Sequence, residues 1–484
     1  MPIPEETFFL PLDAEGTLQN QIQQLVAEAI LSGRFRTGEK MPSSRKLAKH
    51  LSVSRITVTL AYTELLADDY LTSRGRSGYY ISKNAPQPPQ FPVTPRTDKV
   101  DWSRAIGQKF SGGATLTKPQ DWGKYKYPFI YGQADETLFD RSNWRLCALQ
   151  ALGSKDYDSL TSDYFDRDDP KLIEFILRHT LPRRGITAEP NEVLVTMGAQ
   201  NALWLSANVL LNQRRTAVLE NPCYPSLRDI LTQSRCQVAS VEVDSGGLPP
   251  DALPDDVDVV FTTPSHQCPT ATTMPIDRRK ELLRKASEQD FLIVEDDYEF
   301  EMSFLKAPSP ALKSLDREGR VIYVGSFSKS LFPGLRLGYL VGSKHFIREA
   351  RALRSTVLRH PPGHIQRTAS YFLSLGHYDA LIRKMGHVFH ERRKAMETAL
   401  SANGLTVAGQ GAFGGSSFWM RASDSVDTGQ VAERLRDKGV LIEPGMPFFT
   451  TEEASNSFYR LAYSSISTHK IAEGVALIAQ GMKL

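Results

Sequence analysis

The chain has 484 residues, 41 % hydrophobic and 23 % charged, with a formal net charge of +3. It is too long for one ordinary core and too apolar for a disordered chain, so about three domain-sized globular units are expected. No apolar run approaches the roughly 20 residues of a membrane span, and the opening MPIPEETFF has neither the basic start nor the apolar core of a secretory signal, so a cytoplasmic protein with no membrane partner is expected. Cys147, Cys223, Cys236 and Cys268 are scattered, without disulfide or zinc spacing, which argues against a disulfide scaffold and a metal site. They read as structural, with Cys268 a candidate exception.

From Leu18, the apolar residues Leu18, Ile22, Leu25, Val26, Ala29 and Ile30 fall at helical spacing, predicting a helix that ends before Gly33. Ser43 is placed to cap a short second helix through Arg45, Leu47, Ala48 and Leu51, and Ser54 to cap a third from Arg55 to about Asp68. In the third helix Ile56, Leu60, Ala61, Leu65 and Leu66 are expected inward and Arg55, Thr57, Thr59 and Thr63 outward. Tyr70 to Ser82 reads as two short strands around Arg74-Gly75-Arg76-Ser77-Gly78, a hairpin with a basic tip. Three helices and a hairpin predict a winged helix-turn-helix, whose third helix enters the major groove. Charge agrees: residues 34–83 carry ten basic side chains against four acidic, a larger excess than in the whole chain. Such clustering is the footprint of a phosphate-backbone binder.

This head resembles the GntR type of winged helix, through Pro42-Ser43-Ser44-Arg45-Lys46-Leu47-Ala48, Val53-Ser54-Arg55-Ile56-Thr57-Val58 and the Gly75 to Gly78 wing. The resemblance implies that Ser43, Arg45, Arg55, Thr57, Arg74 and Arg76 meet double-stranded DNA.

Between about Lys83 and Pro128, the prolines Pro86, Pro88, Pro89, Pro92 and Pro95 predict a semi-stiff tether. The expected division is a head over residues 1–82, a linker over 83–127 and a body over 128–484. In the body, strands at Glu192 to Thr196, Ala217 to Leu219, Asp258 to Thr262 and Leu292 to Glu295 alternate with helices such as Ala199 to Leu211. That alternation predicts an α/β fold with a largely parallel sheet, and a ligand at the carboxyl ends of its strands.

Four motifs fall at such ends. Gly198, Ala199 and Gln200 open a helix after a strand, where free amides suit a phosphate. Tyr224, held between Pro222 and Pro225, offers a flat face for a ring. Asp296 ends the apolar run Ile293-Val294-Glu295, where a carboxylate can pair with a protonated pyridine nitrogen, and Tyr298 is two residues on. In Val321 to Gly338, Lys329 lies among Ser326, Phe327, Ser328 and Leu331 with Arg336 following; apolar burial and a nearby arginine would keep its amine neutral and able to condense with an aldehyde. Together these are the parts of a pyridoxal phosphate site.

The body resembles the aminotransferase-like fold type I family over roughly residues 125–484. By that resemblance Asp296 pairs with the ring nitrogen, Tyr298 with the ring hydroxyl, Ser326, Ser328 and Arg336 with phosphate, Lys329 forms the internal aldimine, and Arg460 in Phe458-Tyr459-Arg460-Leu461-Ala462-Tyr463 clamps an effector carboxylate. Two positions depart from the aminotransferase pattern, Cys268 for asparagine and Ala271 for glycine. The joining of a GntR-like head, a proline-rich tether and this body resembles the MocR/GabR family of bacterial transcriptional regulators. It implies a head-to-tail homodimer in which a small amine or amino acid forms an external aldimine and alters operator binding. An active aminotransferase carrying a DNA-binding module, or a direct sensor of pyridoxal phosphate, are the alternatives. Arg228 is a further candidate anion contact without a spacing argument.

Overall fold

The computed structural model describes residues 2–9, 16–86, 99–111, 118–133, 135–450 and 456–483. The chain divides into two compact units, residues 1–108 and 109–484. Within the expected tether over residues 83–127, residues 87–98 and 112–117, and with them Pro88, Pro89, Pro92 and Pro95, lie outside the described residues.

The first unit has helices α1 (Leu18–Leu31), α2 (Ser44–His50) and α3 (Arg55–Ala67), then antiparallel strands β1 (Leu71–Ser73) and β2 (Tyr79–Ile81). Each helix starts on a hydroxyl that accepts an amide two residues into the first turn or beyond: Thr17 from Asn20, Ser43 from Lys46 and Ser54 from Thr57. Such caps contribute about 1 kcal/mol each. Ile22, Val26 and Ile30 of α1, Leu47 of α2, and Val58, Ala61, Tyr62 and Leu65 of α3 form one core with Leu71 and Ile81.

The inward face of α3 differs from the expected one: Ile56 and Leu60 are exposed, at 72 % and 48 %, as is Leu18 of α1. The reason is Tyr62, whose ring packs on Tyr79 at 4.9 Å and whose hydroxyl donates to the Pro42 carbonyl at 3.1 Å. A buried tyrosine needs both its ring covered and its hydroxyl bonded. Meeting both turns α3 so that its buried stripe runs through residues 58, 61, 62 and 65.

In the second unit, strands β3 (Val193–Thr196), β4 (Thr216–Asn221), β5 (Gln237–Glu242), β6 (Val259–Thr262), β7 (Leu292–Asp296), β8 (Val321–Ser326) and β9 (Gly338–Val341) make one sheet in the order β3-β9-β8-β7-β6-β4-β5. Only β9 runs against its neighbours. Thr196, Asn221, Thr262, Asp296 and Ser326 therefore all end at one edge, where Gly338 begins β9. Gly338 has to be glycine: a Cβ there would sit 2.8 Å from the Gly325 carbonyl oxygen and 2.9 Å from the Gly198 carbonyl carbon. A second, antiparallel sheet holds β10 (Thr406–Gln410), β11 (Ser417–Arg421), β12 (Glu443–Pro444) and β13 (Phe458–Ala462), in the order β10-β11-β13-β12. Among the described residues no helix is long and apolar enough to cross a membrane.

Asp168 locks the sheet to the helix Lys344–Leu358. It bonds Arg354 and accepts the Val195 amide at 3.2 Å in the interior, and pairs with half-buried Arg351 at 2.8 Å. Arg354 is 0 % exposed, and an unpaired buried guanidinium is far costlier than the pair is favourable. Asp168→Ala is expected to destabilise the body by about 3–5 kcal/mol, read by denaturant unfolding monitored in the body, with the caps of the head untouched.

Candidate functional site

Four strand ends and their loops converge at the carboxyl edge of the sheet. Gly198 joins β3 to helix α4 (Ala199–Leu210) with φ +80°, left-handed backbone that glycine adopts without strain. A Cβ at Gly198 would lie 3.3 Å from Arg336 Nη2 and 3.6 Å from Ser328 Oγ, so these groups face one cradle with the free amides of Ala199 and Gln200. Ser328 Oγ is buried and has no hydrogen-bond partner among the described residues. The Ser326 hydroxyl accepts the Ser328 amide at 3.2 Å and so shapes the turn, while Arg336 donates to the Met197 carbonyl at 3.2 Å. An orphaned hydroxyl, an arginine and helix N-terminal amides are the donor set a phosphate requires.

The acids at the end of β7 have separate tasks. Glu295 accepts the Leu312 and Lys313 amides, both at 2.8 Å. Asp297 pairs with buried Arg184 at 2.6 Å and accepts the Tyr323 hydroxyl at 2.8 Å. Asp296 Oδ1, by contrast, is buried without a partner among the described residues, and burial pushes its carboxyl up to about 7. A buried carboxylate in that condition is stabilised by a cationic donor such as a pyridinium N–H. Asp296 and Tyr224 line the same small cavity, Tyr224 standing at the start of helix α5 (Pro225–Gln233). Tyr298 meets Tyr131 edge-on at 6.4 Å and packs in one cluster with Cys268, Trp419 and Phe448. The donor set thus fits pyridoxal phosphate at the phosphate, the ring nitrogen and the ring face.

Lys329 Nζ lies 4.1 Å from the centre of the Tyr131 ring. Burial, then repulsion from Lys118, lower its pKa to about 8; Glu299 opposes, and Arg460 adds to the lowering. The repelling cations are therefore Lys118 and Arg460, whereas the sequence suggested Arg336, whose guanidinium is turned toward Met197. Arg460 lies 4.2 Å from the same Tyr131 ring and bonds Glu443 through Nε at 2.8 Å. Glu443 also pairs with Lys118 at 3.2 Å, and Lys118 donates to the Tyr131 carbonyl. Tyr131, Lys118 and Glu443 escape sequence reasoning. For Glu443 a signal existed, one acid closing the apolar run Val440-Leu441-Ile442; for Lys118, in a stretch without pattern, there was none.

Around Cys268, Gln267 donates to Glu220 at 3.1 Å and to the Pro222 carbonyl at 2.7 Å, while Glu220 accepts the Thr262 and Thr263 hydroxyls, both at 2.6 Å. Burial pushes the Cys268 thiol up to about 12, so it is a neutral group beside the ring site and not a thiolate. Ala271 has φ +59°, the conformation that accounts for glycine at this position in aminotransferases. Arg228 donates to the Phe449 and Pro447 carbonyls and holds that loop, so it is no anion contact here.

In the head, Arg45, Arg55 and Arg74 are exposed and Ser43 caps α2. Arg55 Nε donates to Ser44 Oγ at 3.4 Å, tying the start of α3 to the start of α2. Arg74 lies 4.5 Å over the Tyr80 ring on the wing. Thr57 is half-buried, its hydroxyl 2.8 Å from Ser54 Oγ in the cap. The side chain of Arg76 lies outside the described set.

Two family models match the chain: "Bacterial regulatory proteins, gntR family" over residues 18–81, and "Aminotransferase class I and II" over residues 146–478. The chain is 56 % identical over 484 residues to the HTH-type transcriptional regulator TauR of Rhodobacter capsulatus, covering 100 % of both. It is 31 % identical over 389 residues to the probable rhizopine catabolism regulatory protein MocR of Rhizobium meliloti, covering 80 % of this chain and 77 % of that one. Among solved structures it is similar to the kynurenine aminotransferase of Pyrococcus horikoshii, with a TM-score of 0.71 and 27 % identity, over 79 % of this chain and 98 % of that one.

The depressed pKa of Lys329 is directly measurable, because only the neutral amine reacts. Acylation of Lys329, followed by peptide mapping across pH, is expected to rise with a midpoint near 8, whereas exposed lysines titrate at about 10.4. Lys118→Met removes a repelling charge and is expected to move the Lys329 midpoint upward.

Proposed function

We propose, from the premise that the chain belongs to the HTH-type transcriptional regulators that join a gntR-type head to an aminotransferase class I and II body, that it is a cytoplasmic, DNA-binding regulator whose body is a sensor for an acidic amine or amino acid. The observation that carries this reading is the meeting of Lys329 with two orphaned buried groups, Asp296 Oδ1 and Ser328 Oγ, in a chain that also bears a basic winged head. Pyridoxal phosphate, when bound, supplies an aldehyde that captures primary amines.

The residues of the body supply the rest. Gly198, Ala199, Gln200, Ser328 and Arg336 hold the phosphate, with Ser326 shaping their turn, Tyr224 covers the ring, Asp296 holds a proton at the ring nitrogen, and Tyr298 lies by the ring oxygen. Lys329, its pKa lowered to about 8, has a far larger neutral fraction near physiological pH than an ordinary lysine, and the neutral amine is the form that exchanges with an incoming amine. Arg460 and Lys118 are the cations beside Lys329, with Glu443 and Glu299 the carboxylates opposing them, and a guanidinium on the face of the site suits an acid group on the effector. An effector that binds two body conformations unequally shifts the population of head arrangements, and about 1–3 kcal/mol of coupling is enough for control. The resemblance to the MocR/GabR family supports a head-to-tail homodimer, and a dimer of helix-turn-helix heads suits an operator of two half-sites. Cys268 in place of the asparagine of aminotransferases, and Ala271 strained in place of glycine, support sensing over turnover.

The test is an absorbance titration of the full-length protein with pyridoxal phosphate, then with a panel of amines and amino acids. A visible band is expected in the wild type and not in Lys329→Ala, with one acidic amine shifting it. Arg460→Met is expected to keep the band and lose the shift. Glu443→Gln raises the local charge by one and is expected to tighten effector binding roughly tenfold, the effect of 1.4 kcal/mol. No band at any pyridoxal phosphate concentration overturns the reading of the body, and stoichiometric release of a keto acid from the panel overturns sensing in favour of an aminotransferase.

A further inference from the structure

The exposed face of α3 is apolar where a DNA-reading helix usually carries hydrogen-bonding groups. Ile56 and Leu60 are 72 % and 48 % exposed, and with Thr59 and Thr63 they lie along one side of the helix, at spacings of three and four residues. The two threonines have already given their hydroxyl protons to the carbonyls four residues back, Thr59 to Arg55 and Thr63 to Thr59, both at 2.9 Å, and so face outward as acceptors and methyl groups, not as donors. Their methyl groups extend the apolar strip. The Thr57 hydroxyl is in the Ser54 cap. The polar side chains that the sequence suggested for reading bases are thus committed within the helix, apart from Arg55 at its start.

Cations border this strip. Arg55 is exposed at the start of α3 and is tied to Ser44 at the start of α2, which carries exposed Arg45, Lys46 and Lys49. An apolar strip beside cations complements the major groove, where the thymine 5-methyl is the apolar group on the base edges and phosphates line both sides. We propose that Ile56 and Leu60 are specificity-determining residues that read thymine methyl groups by apolar contact, with the arginines and lysines positioning the helix on the backbone. This rests on the DNA-binding reading above and adds how sequence is recognised. It gives the operator half-site thymines at the base steps facing the middle of α3.

The test uses full-length protein and a randomised duplex pool. After selection, the enriched duplex is resynthesised with deoxyuridine for thymidine at one step at a time, which removes only the methyl. Each methyl that contacts Ile56 or Leu60 is expected to be worth about fourfold in affinity. Ile56→Ala is expected to lose the penalty at one step and Leu60→Ala at a neighbouring one, both with an unchanged slope of log affinity against log salt, whereas Arg55→Ala lowers that slope by about one. Both apolar side chains are exposed, so the variants are expected to keep the circular dichroism and melting temperature of the wild type. Indifference of the wild type to deoxyuridine at every thymine overturns the proposal while leaving DNA binding intact. Undiminished deoxyuridine sensitivity in Ile56→Ala and Leu60→Ala also overturns it, and dissociation of the oligomer in those variants would assign the strip to a second copy of the chain. Enrichment of no duplex overturns the DNA-binding reading and this proposal together.

Discussion

An amine held among other cations in a water-poor site is the interaction on which the body depends. Lys329 rests on the face of Tyr131, with Lys118 and Arg460 close enough to disfavour its ammonium form. Ring faces attract cations by about 0.5–2 kcal/mol, yet burial and repulsion prevail and the amine is neutral above a pH of about 8. Such concentrated positive charge would be unstable alone. Glu443, buried between Arg460 and Lys118, and Glu299, which acts on Lys329 directly, offset it. The same electrostatic arrangement therefore governs the reactivity of the lysine and, in the proposed sensing role, the charge class of the effector.

Backbone constraints keep that arrangement in place. Gly338 lets β9 approach both Gly325 and Gly198 closely, so the phosphate cradle, the lysine loop and the start of β9 form one rigid junction. On the other side, Glu220 and Gln267 bind the two loops that flank Cys268 through hydroxyl, amide and carbonyl partners. Fully satisfied polar networks of this kind rigidify a site. Ser328 Oγ and Asp296 Oδ1 are among the buried side-chain atoms without a hydrogen-bond partner among the described residues, and they face the cradle at Gly198 and the small cavity beside Tyr224.

In the head, the orientation of one tyrosine decides which face of α3 is exposed. Tyr62 takes the inward position on α3 and Ile56 and Leu60 are turned out. Apolar residues exposed beside a cluster of arginines and lysines are a functional surface more often than a packing defect.

Much was legible in the sequence. Hydroxyl caps at Ser43 and Ser54, the apolar strands ending in Thr196, Asp296 and Ser326, and the local charge of the head are encoded by neighbours within a few residues, where helix and strand physics acts directly. Spacing accordingly located the three helices and hairpin of the head, several strands of the parallel sheet, and Gly198, Asp296 and Ser326 at strand ends. Tertiary structure decided the rest. The segment holding Lys118 and Tyr131 meets the one holding Glu443 and Arg460 from more than 300 residues away, Asp297 is set apart from Asp296 by Arg184 and Tyr323, and the inward face of α3 depends on Pro42 and Tyr79. Long-range pairing of buried charge, and the satisfaction of a buried hydroxyl, are set by which segments the fold brings together, and no local pattern carries that information.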